Sequence, residues 1–274
     1  MTTLPMSLPS VGLWRTADHR YFWQEPGKPL VGPLTSVTTA MKALDKPALV
    51  PWAKRETAAC AIRNLPMLAD MVQHGGPVAA VNWLKSIPDY QRDTAADLGT
   101  RVHMLAEQIA AGGTPDMGDV EAPFVAAYRR FLADWQPVFL RVEAMVCNLT
   151  YGYAGTLDFL AVLGGKVTLA DIKTGSGAYS DTAIQLAGLA NAEFLGWPGD
   201  PRKHPLPHIE QYAVLHLRPE LYPDTGYRLI PYRITPDTFW RFLEAKGLWE
   251  WMQGDAKTVM GAPLTAPVLE GAAA

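Results

Sequence analysis

The sequence predicts an α/β protein with a mixed central β-sheet flanked by helices, preceded by a mostly helical N-terminal lobe. About half of the 274 residues are apolar (49%), so the chain can bury a sizeable core. Five apolar runs between 139 and 234 have the length and composition of strands. Helical periodicity occurs before, within and after these runs, as expected when helices cover a sheet.

The N-terminal segment 1–95 is interpreted as an arm followed by a helical lobe. Residues 12–35 predict a short hairpin or an irregular arm. Ser36 is a suitable N-cap for a helix to about Leu44, because its hydroxyl can accept a free backbone N–H. A second helix begins near Pro51, since proline suits the first turn, and a third covers 77–86.

The segment 96–255 contains the predicted sheet. A helix begins at Asp97 or Thr100 and ends at Gly112 and Gly113, and another covers about 119–135. The strands are predicted at 139–149, 154–163, 167–173, 211–217 and 227–234. A helix beginning near Ser180 and ending at Gly196, a Pro- and Gly-rich loop at 196–208 and a helix from Pro236 to about Met252 complete the segment. Residues 256–274 are predicted to form a disordered tail.

Composition narrows the class of protein. The net charge of −3 and the pI near 6.1 argue against a uniformly basic nucleic-acid-binding surface, although a local basic groove is compatible with them. Cys60 and Cys147 are far apart, so neither a zinc cluster nor a disulfide framework is expected. The first residues do not read as a signal peptide, and no apolar run reaches the length of a membrane span.

The stretch GTLDFLAVLGGKVTLADIKTG, from Gly155 to Gly175, predicts a β-hairpin with a two-residue turn at Gly164–Gly165. In that register Asp158 faces Asp171. Facing carboxylates repel each other, and a divalent cation such as Mg²⁺ or Mn²⁺ would relieve the repulsion. The open alternative is that Lys173 only pairs with Asp171 at a strand end, and a one-residue shift in register would separate the two aspartates.

These motifs resemble the PD-(D/E)XK nuclease superfamily, whose core is the restriction-endonuclease-like fold. The similarity is to its RecB-like exonuclease branch, which has phage-encoded and CRISPR-associated members, and it extends over about residues 35–235. The family pattern is an Asp, an Asp/Glu-x-Lys on the next strand and a Gln on the following helix. The residues in these places are Asp158, Asp171, Lys173 and Gln185, and the resemblance implies that they are catalytic.

The resemblance also implies a set of metal ligands. The stretch GTRVHMLAE supplies the upstream histidine of this branch, His103. Together with Asp158, Asp171 and the backbone carbonyl of Ile172, it would hold one or two Mg²⁺ or Mn²⁺ ions. A satisfied core histidine is the alternative for His103.

Two further acids are candidates for the same site. Glu107 lies one helical turn after His103, and Glu143 lies on the strand before the hairpin. Each is either an additional acid of the site or an ordinary surface charge.

The chain departs from the family pattern in two places. Leu189 stands where many members have a tyrosine, which puts a substrate contact there in question. Two distant cysteines cannot supply the four ligands of the iron–sulfur cluster found in CRISPR-associated members, so no cluster is expected.

A nucleic-acid path is predicted in the N-terminal lobe, where nine Lys and Arg outnumber five Asp and Glu up to residue 85. Lys42, Lys46, Lys54 and Arg55 cluster around Trp52. Basic groups beside an aromatic ring suit single-stranded nucleic acid, because phosphates pair with the cations and bases stack on the ring. The alternative is a solvated helix face with Trp52 in the core.

The implied function is that of a metal-dependent DNA exonuclease acting on linear DNA ends in phage or bacterial recombination, replication or repair. Its expected location is the cytoplasm of a bacterial cell or phage-infected host, with DNA as the partner, a recombination or replication protein as a candidate second partner, and no membrane association. The open alternatives are an inactive nuclease fold that binds DNA or protein, and an endonuclease or RNA-cutting enzyme with the same core. The acidic residues and Lys173 are all present, which argues against an inactive descendant.

Overall fold

The computed structural model describes residues 11–265, and it confirms the predicted α/β class with a mixed sheet. The strands are β1 (Gly12–Arg15), β2 (Tyr21–Gln24), β3 (Val31–Ser36), β4 (Val138–Asn148), β5 (Tyr153–Leu163), β6 (Lys166–Lys173), β7 (Phe194–Trp197), β8 (Asp200–His204), β9 (Gln211–Leu217) and β10 (Tyr227–Tyr232). The helices are α1 (Val37–Ala40), α2 (Leu49–Arg63), α3 (Leu65–Ala110), α4 (Ala122–Trp135), α5 (Asp181–Ala190) and α6 (Pro236–Gln253). Short 3₁₀ turns follow α1 at Met41–Ala43 and α6 at Asp255–Thr258. Of the predicted tail, residues 266–274 lie outside the described residues.

Strand β5 is the centre of the sheet. One edge pairs with β4 in antiparallel orientation along almost its whole length, and β4 continues to β7 and β8. The other edge is shared: β3 pairs with its N-terminal end in parallel, and β6 pairs with its C-terminal half in antiparallel orientation. Beyond β6, the sheet continues with β9 in parallel and β10 in antiparallel orientation.

The shared edge of β5 is open between its two partners. Pairing with β3 ends at Ala154, and pairing with β6 begins only at Phe159. Among the described residues, none pairs as a strand with 155–158 on this edge. Asp158 lies in this opening, where its carboxylate accepts the backbone N–H of Ile172 at 2.6 Å.

The hairpin has the predicted turn and register near its tip. Gly164–Gly165 form the turn with φ of 54° and 81°, a left-handed conformation that glycine adopts without strain. The predicted register holds from the turn to the Phe159–Ala170 pair. Asp158 and Asp171 were predicted to face each other, but they do not form a pair of the ladder. The Asp158 side chain accepts the backbone N–H of Ile172, and strand pairing ends before these residues.

Helix α5 is shorter than predicted. It ends at Ala190, where Asn191 donates its side-chain amide to the carbonyl of Ala187 at 2.9 Å. The backbone N–H of Glu193 then donates to the carbonyl of Cys147 at 2.8 Å, and the chain continues beside β4 as strand β7. The predicted loop 196–208 accordingly contains strand β8.

Helix α3 joins two segments that were predicted as separate helices, 77–86 and the helix from Asp97 or Thr100. It runs from Leu65 to Ala110 and is broken only at Gly76, where φ is 77° and ψ is 165°. Glycine tolerates this conformation, and the following Pro77 occupies the first turn of the second part, where a missing N–H costs little. The boundary predicted between 95 and 96 falls inside this helix.

The predicted N-terminal hairpin forms strands β1 and β2, and β3 extends it into the central sheet. A bridge between Gly12 and Pro198 brings β1 back to the β7–β8 turn, so this part of the sheet is nearly closed. Its interior is apolar and consists of Leu13, Tyr21, Trp23, Leu34, Cys147, Ala154 and Phe194. Residues 12–36 therefore belong to the sheet and not to the helical part of the N-terminal segment.

Both faces of the β5–β6 hairpin are covered. On one face α3 and α4 supply Val102, Tyr128 and Phe131 against Phe159. On the other face α1, α5 and α6 supply Val37, Leu186 and Phe242 against the β5 residues. Helix α1 begins at the predicted N-cap, since the Ser36 hydroxyl accepts the N–H of Thr39 at 2.9 Å. The buried hairpin is thus a rigid support for the polar groups at its open end.

Replacing Gly164 tests the turn that sets this register. We expect Gly164→Asn to raise the free energy of unfolding by about 0.4–1 kcal/mol, because asparagine tolerates the left-handed conformation and restricts the unfolded chain. Gly164→Val should lower it, since a β-branched residue is strained at positive φ. Urea unfolding of the three proteins gives the comparison, and equal midpoints for the two variants would contradict the assigned turn.

Candidate active site

A cleft of about 610 Å³ lies at the open edge of β5, between α3, α5 and the strands β1–β2. It is lined by all of the predicted catalytic and metal-ligating residues, which are His103, Glu107, Glu143, Asp158, Asp171, Ile172, Lys173 and Gln185. They come from five different elements, so the fold brings together residues that are up to 82 positions apart in the chain.

Two glycines of the predicted motifs allow these elements to approach one another. A Cβ atom on Gly155 would lie 2.7 Å from Cδ2 of Leu189 on α5, closer than packed atoms tolerate. A Cβ on Gly99 would lie 3.2 Å from Oγ1 of Thr174, just after β6. Leu189, in the place of the family tyrosine, is buried in contact with Gly155 and therefore packs α5 against β5.

Asp171 is the most deeply buried acid of the cleft, with 3% of its surface exposed. Its Oδ1 accepts the side-chain amide of Gln185 at 2.8 Å, and its Oδ2 lies 2.8 Å from Nζ of Lys173. The ammonium also donates to Oε1 of Gln185 at 3.4 Å. Gln185 therefore holds both members of the ion pair in one orientation.

Electrostatics keep Lys173 charged. Burial lowers the pKa of Lys173, but the nearby negative charges, that of Asp171 first, outweigh this effect, and the pKa lies above its ordinary value. Burial and the nearby charge of Asp158 raise the pKa of Asp171. Because two carboxylates share one ammonium, the site holds more negative than positive charge.

Asp158 and His103 are both oriented by the backbone of Ile172. The Ile172 N–H donates to Oδ2 of Asp158 at 2.6 Å, and the Ile172 carbonyl lies 2.9 Å from Nε2 of His103. A carbonyl can only accept, so Nε2 of His103 carries the proton. Nδ1 of His103 therefore faces Oδ2 of Asp158, 3.5 Å away, and in the neutral ring its lone pair is available to a metal.

Glu143 has an unusual backbone conformation. It lies on β4 between the paired residues Val142 and Ala144, opposite Asp158, with φ of 46°. A non-glycine residue in this region costs about 1–3 kcal/mol, which the surrounding sheet must support. Burial and the charge of Asp158 raise the pKa of Glu143 to about 7. The strained backbone thus places a third carboxylate beside Asp158.

Three of these side chains could hold a metal ion. His103, Glu143 and Asp158 each offer a ligand atom, and the three atoms lie within 4.8 Å of one another. Carboxylate oxygens suit Mg²⁺ and Mn²⁺, and an imidazole is acceptable to Mn²⁺. The Nε2–H···O=C bond of His103 is the outer contact that metal-binding histidines usually make. The donor set therefore fits a divalent cation.

Asp171 is not a member of this group of three, although it was predicted as a ligand together with Asp158. Its Oδ2 is nevertheless buried without a well-aligned hydrogen-bond donor among residues 11–265, apart from its charge contact with Lys173. A free lone pair of this kind is also compatible with a cation. The Ile172 carbonyl is used here to orient His103, and its predicted role as a ligand stays a prediction.

Glu107 is exposed and lines the cleft one turn beyond His103. Its charge raises the pKa of Glu143 as a minor cause after burial and Asp158. It does not belong to the group of three ligands.

The five predicted nucleic-acid-binding residues do not line the cleft. Nζ of Lys42 lies 5.8 Å above the ring of Trp249 on α6, and Nε of Arg55 lies 3.4 Å from Glu56. Lys46 and Lys54 are exposed, whereas Trp52 is half-buried. Their role in a nucleic-acid path stays a prediction.

Sequence reasoning missed the N-terminal side of the cleft. Arg15, His19 and Tyr21 of the β1–β2 hairpin line it, and the Tyr21 hydroxyl lies 2.8 Å from Oγ1 of Thr156 on β5. The excess of basic residues in the first 85 positions was the one signal that included Arg15. No local motif connects a residue of β1 with a site on β5.

A scan against protein-family models finds no match to the chain, and a search of curated proteins finds none either. The resemblance stated from the motifs is therefore carried by those residues and by their arrangement. None of the helices within residues 11–265 has the length and apolar character that crossing a membrane requires.

The raised pKa of Glu143 predicts a pH-dependent stability difference. Because the folded protein holds this proton more tightly than the unfolded chain, the contribution of Glu143 to stability is lost as pH rises from about 4.5 to about 7. With a chelator present, the unfolding free energy of wild type should fall relative to that of Glu143→Gln as pH rises through this window. Above about pH 7 the difference between the two proteins should stay constant. Denaturant titrations at a series of pH values measure the difference, and a pH-independent offset would refute the assigned shift.

Metal binding can be measured without any activity. We expect Mn²⁺ at 100 times its dissociation constant to stabilise wild type by about 2.7 kcal/mol and to have little effect on Asp158→Asn or His103→Ala. Asp89→Asn is the control, because Asp89 is exposed on α3 and paired with Arg92 at 2.9 Å. Thermal unfolding with and without Mn²⁺ provides the readout. Equal stabilisation of all four proteins would exclude this group of ligands.

Proposed function

We propose that this protein is a Mg²⁺- or Mn²⁺-dependent nuclease that hydrolyses phosphodiester bonds of DNA, working as an exonuclease on linear ends. The observation that carries the proposal is the arrangement of two groups in one cleft. One is a potential cation-binding set, His103, Glu143 and Asp158; the other is the ion pair of Asp171 and Lys173.

The two groups have complementary roles in hydrolysis of a phosphodiester. A bound divalent cation would polarise the phosphate and lower the pKa of an attacking water. The carboxylates of Asp158 and Glu143 and the Nδ1 of His103 would hold that cation. Their negative charges would otherwise repel a phosphate, so the same residues that bind the cation make substrate binding depend on it.

Lys173 contributes a positive charge that does not depend on a metal. Its raised pKa means that it is protonated at neutral pH, so it is suited to stabilise negative charge on a phosphate oxygen. Removal of a proton from the attacking water would instead need a lysine with a lowered pKa. Asp171 and Gln185 position its ammonium.

Action on DNA ends follows from the resemblance to the RecB-like branch. Linear and covalently closed circular DNA of the same sequence distinguish exonuclease from endonuclease action. RNA of the same sequence tests the choice of nucleic acid, and a protein that binds DNA but leaves every substrate intact would favour the inactive alternative.

Variants on strand β6 test the proposal. We expect Lys173→Ala and Asp171→Asn to lower the rate of Mn²⁺-dependent degradation of end-labelled linear DNA by at least about 100-fold, because each removes a group that positions or stabilises the reacting phosphate. Lys166→Ala is the matched control, since Lys166 is an exposed lysine at the other end of the same strand. It should cleave at the wild-type rate.

Thermal unfolding must accompany these assays, because removing Lys173 leaves Asp171 buried without its counter-ion. Asp171→Asn keeps the shape of the side chain and removes the charge, so it separates loss of chemistry from loss of folding. Full activity of Lys173→Ala in a folded protein would reject the assigned mechanism.

A further inference from the structure

Arg15, the last residue of β1, and His19, in the turn between β1 and β2, are two basic residues at the rim of the cleft. The turn is held by its own backbone: Thr16 N–H donates to the Arg20 carbonyl at 2.9 Å, and His19 N–H donates to the Thr16 carbonyl at 2.9 Å. Strand β1 is fixed by the burial of two of its own residues, Leu13 and Trp14, which precede Arg15. The rim is therefore a built part of the fold.

Arg15 differs from the other cations near the site. Lys173 is paired with Asp171, and Arg20, in the turn that follows β1, is paired with Asp18 at 2.6 Å. The guanidinium of Arg15 is exposed, and it makes neither an ion pair nor a side-chain hydrogen bond with any residue in the range 11–265. Its charge nevertheless reaches into the cleft, where it lowers the pKa of Glu143 as the last of several causes.

The charge distribution of the cleft defines what Arg15 can bind. The floor carries the carboxylates of Glu143, Asp158 and Asp171, and a polyanion can enter only where positive charge compensates them. Lys173 supplies such charge next to Gln185 of α5, and Arg15 supplies it from the end of β1. A guanidinium with five free N–H donors fits phosphate oxygens, which it can bind through two parallel hydrogen bonds.

We propose that Arg15 binds a phosphate group of the nucleic-acid substrate next to the phosphate that is hydrolysed. This inference rests on the proposed function and adds a substrate-binding residue outside the Asp, Lys and Gln pattern. The bound group is either an internal phosphodiester or a terminal phosphate monoester, since both offer the same oxygens. A contact of this kind fixes the position of the strand without reading its sequence.

Binding of fluorescein-labelled DNA with Mn²⁺ present, measured in the Asp171→Asn background where cleavage is expected to be at least about 100-fold slower, tests the proposal separately from catalysis. We expect Arg15→Ala to raise the dissociation constant about tenfold and to reduce the dependence of log K on log salt by about 0.7–0.9, the loss of one phosphate contact. Arg15→Lys should recover part of the affinity and most of the salt dependence, because it keeps the charge but loses the paired donors.

Arg20→Ala is the matched control, because it removes an arginine of the same hairpin that is already paired and does not line the cleft. It should bind DNA as wild type does. Oligonucleotides with and without a terminal phosphate identify the source of the bound group. An effect of Arg15→Ala that is confined to phosphorylated ends assigns a terminal phosphate, and an effect on both assigns an internal one.

The inference fails if Arg15→Ala binds DNA as well as wild type does. It also fails if Arg15→Ala and Arg20→Ala lose the same affinity, since the loss would then be a general effect of the charge of the hairpin. Wild type that cleaves DNA under either result leaves the proposed function in place. Wild type that neither binds nor cleaves DNA overturns the proposed function and this inference together. Thermal unfolding of each variant confirms that the β1–β2 hairpin remains folded.

Discussion

The backbone of Ile172 organises the candidate site. Its N–H donates to Asp158 and its carbonyl accepts from His103, so one residue of β6 orients an acid from β5 and an imidazole from α3. The first of these bonds also ends the β5–β6 ladder and leaves the edge of β5 open. The cleft exists because a side chain has replaced a strand as the partner of a buried N–H, a group that cannot be left unpaired without cost.

Uncompensated negative charge is the second constraint on the site. Glu143, Asp158 and Asp171 share the cleft with one paired ammonium, and burial strengthens the repulsion among them. The raised pKa of Glu143 and Asp171 and the left-handed backbone at Glu143 show that the protein bears a cost at this place. Costs of this kind concentrate at functional sites, because a cation or substrate can offset them when it binds.

The sheet explains how distant segments contribute to one site. Strand β5 carries Asp158 and pairs with β4, which brings Glu143, while β3 attaches the N-terminal hairpin to the same edge that β6 leaves free. The nearly closed arrangement of β1–β3 with β7 fixes that hairpin, so Arg15 reaches the cleft from a rigid support. Helix α5 completes the site from the other side with Gln185. The order of the strands therefore places the acidic side chains in the cleft and Arg15 at its rim.

The sequence by itself determined the class of fold and the Gly164–Gly165 turn, and it singled out His103, Asp158, Asp171, Lys173 and Gln185 as candidates, because these depend on local periodicity, turn chemistry and short motifs. It did not determine the end of α5, the continuity of α3 or strand β7, where contacts with β4 and tolerance of prolines within a long helix prevailed over local signals. Only the tertiary structure joined Glu143 to Asp158 and His103 and placed Arg15 at the rim. Those placements depend on strand pairing between remote segments and on one unusual φ angle, neither of which a linear pattern encodes.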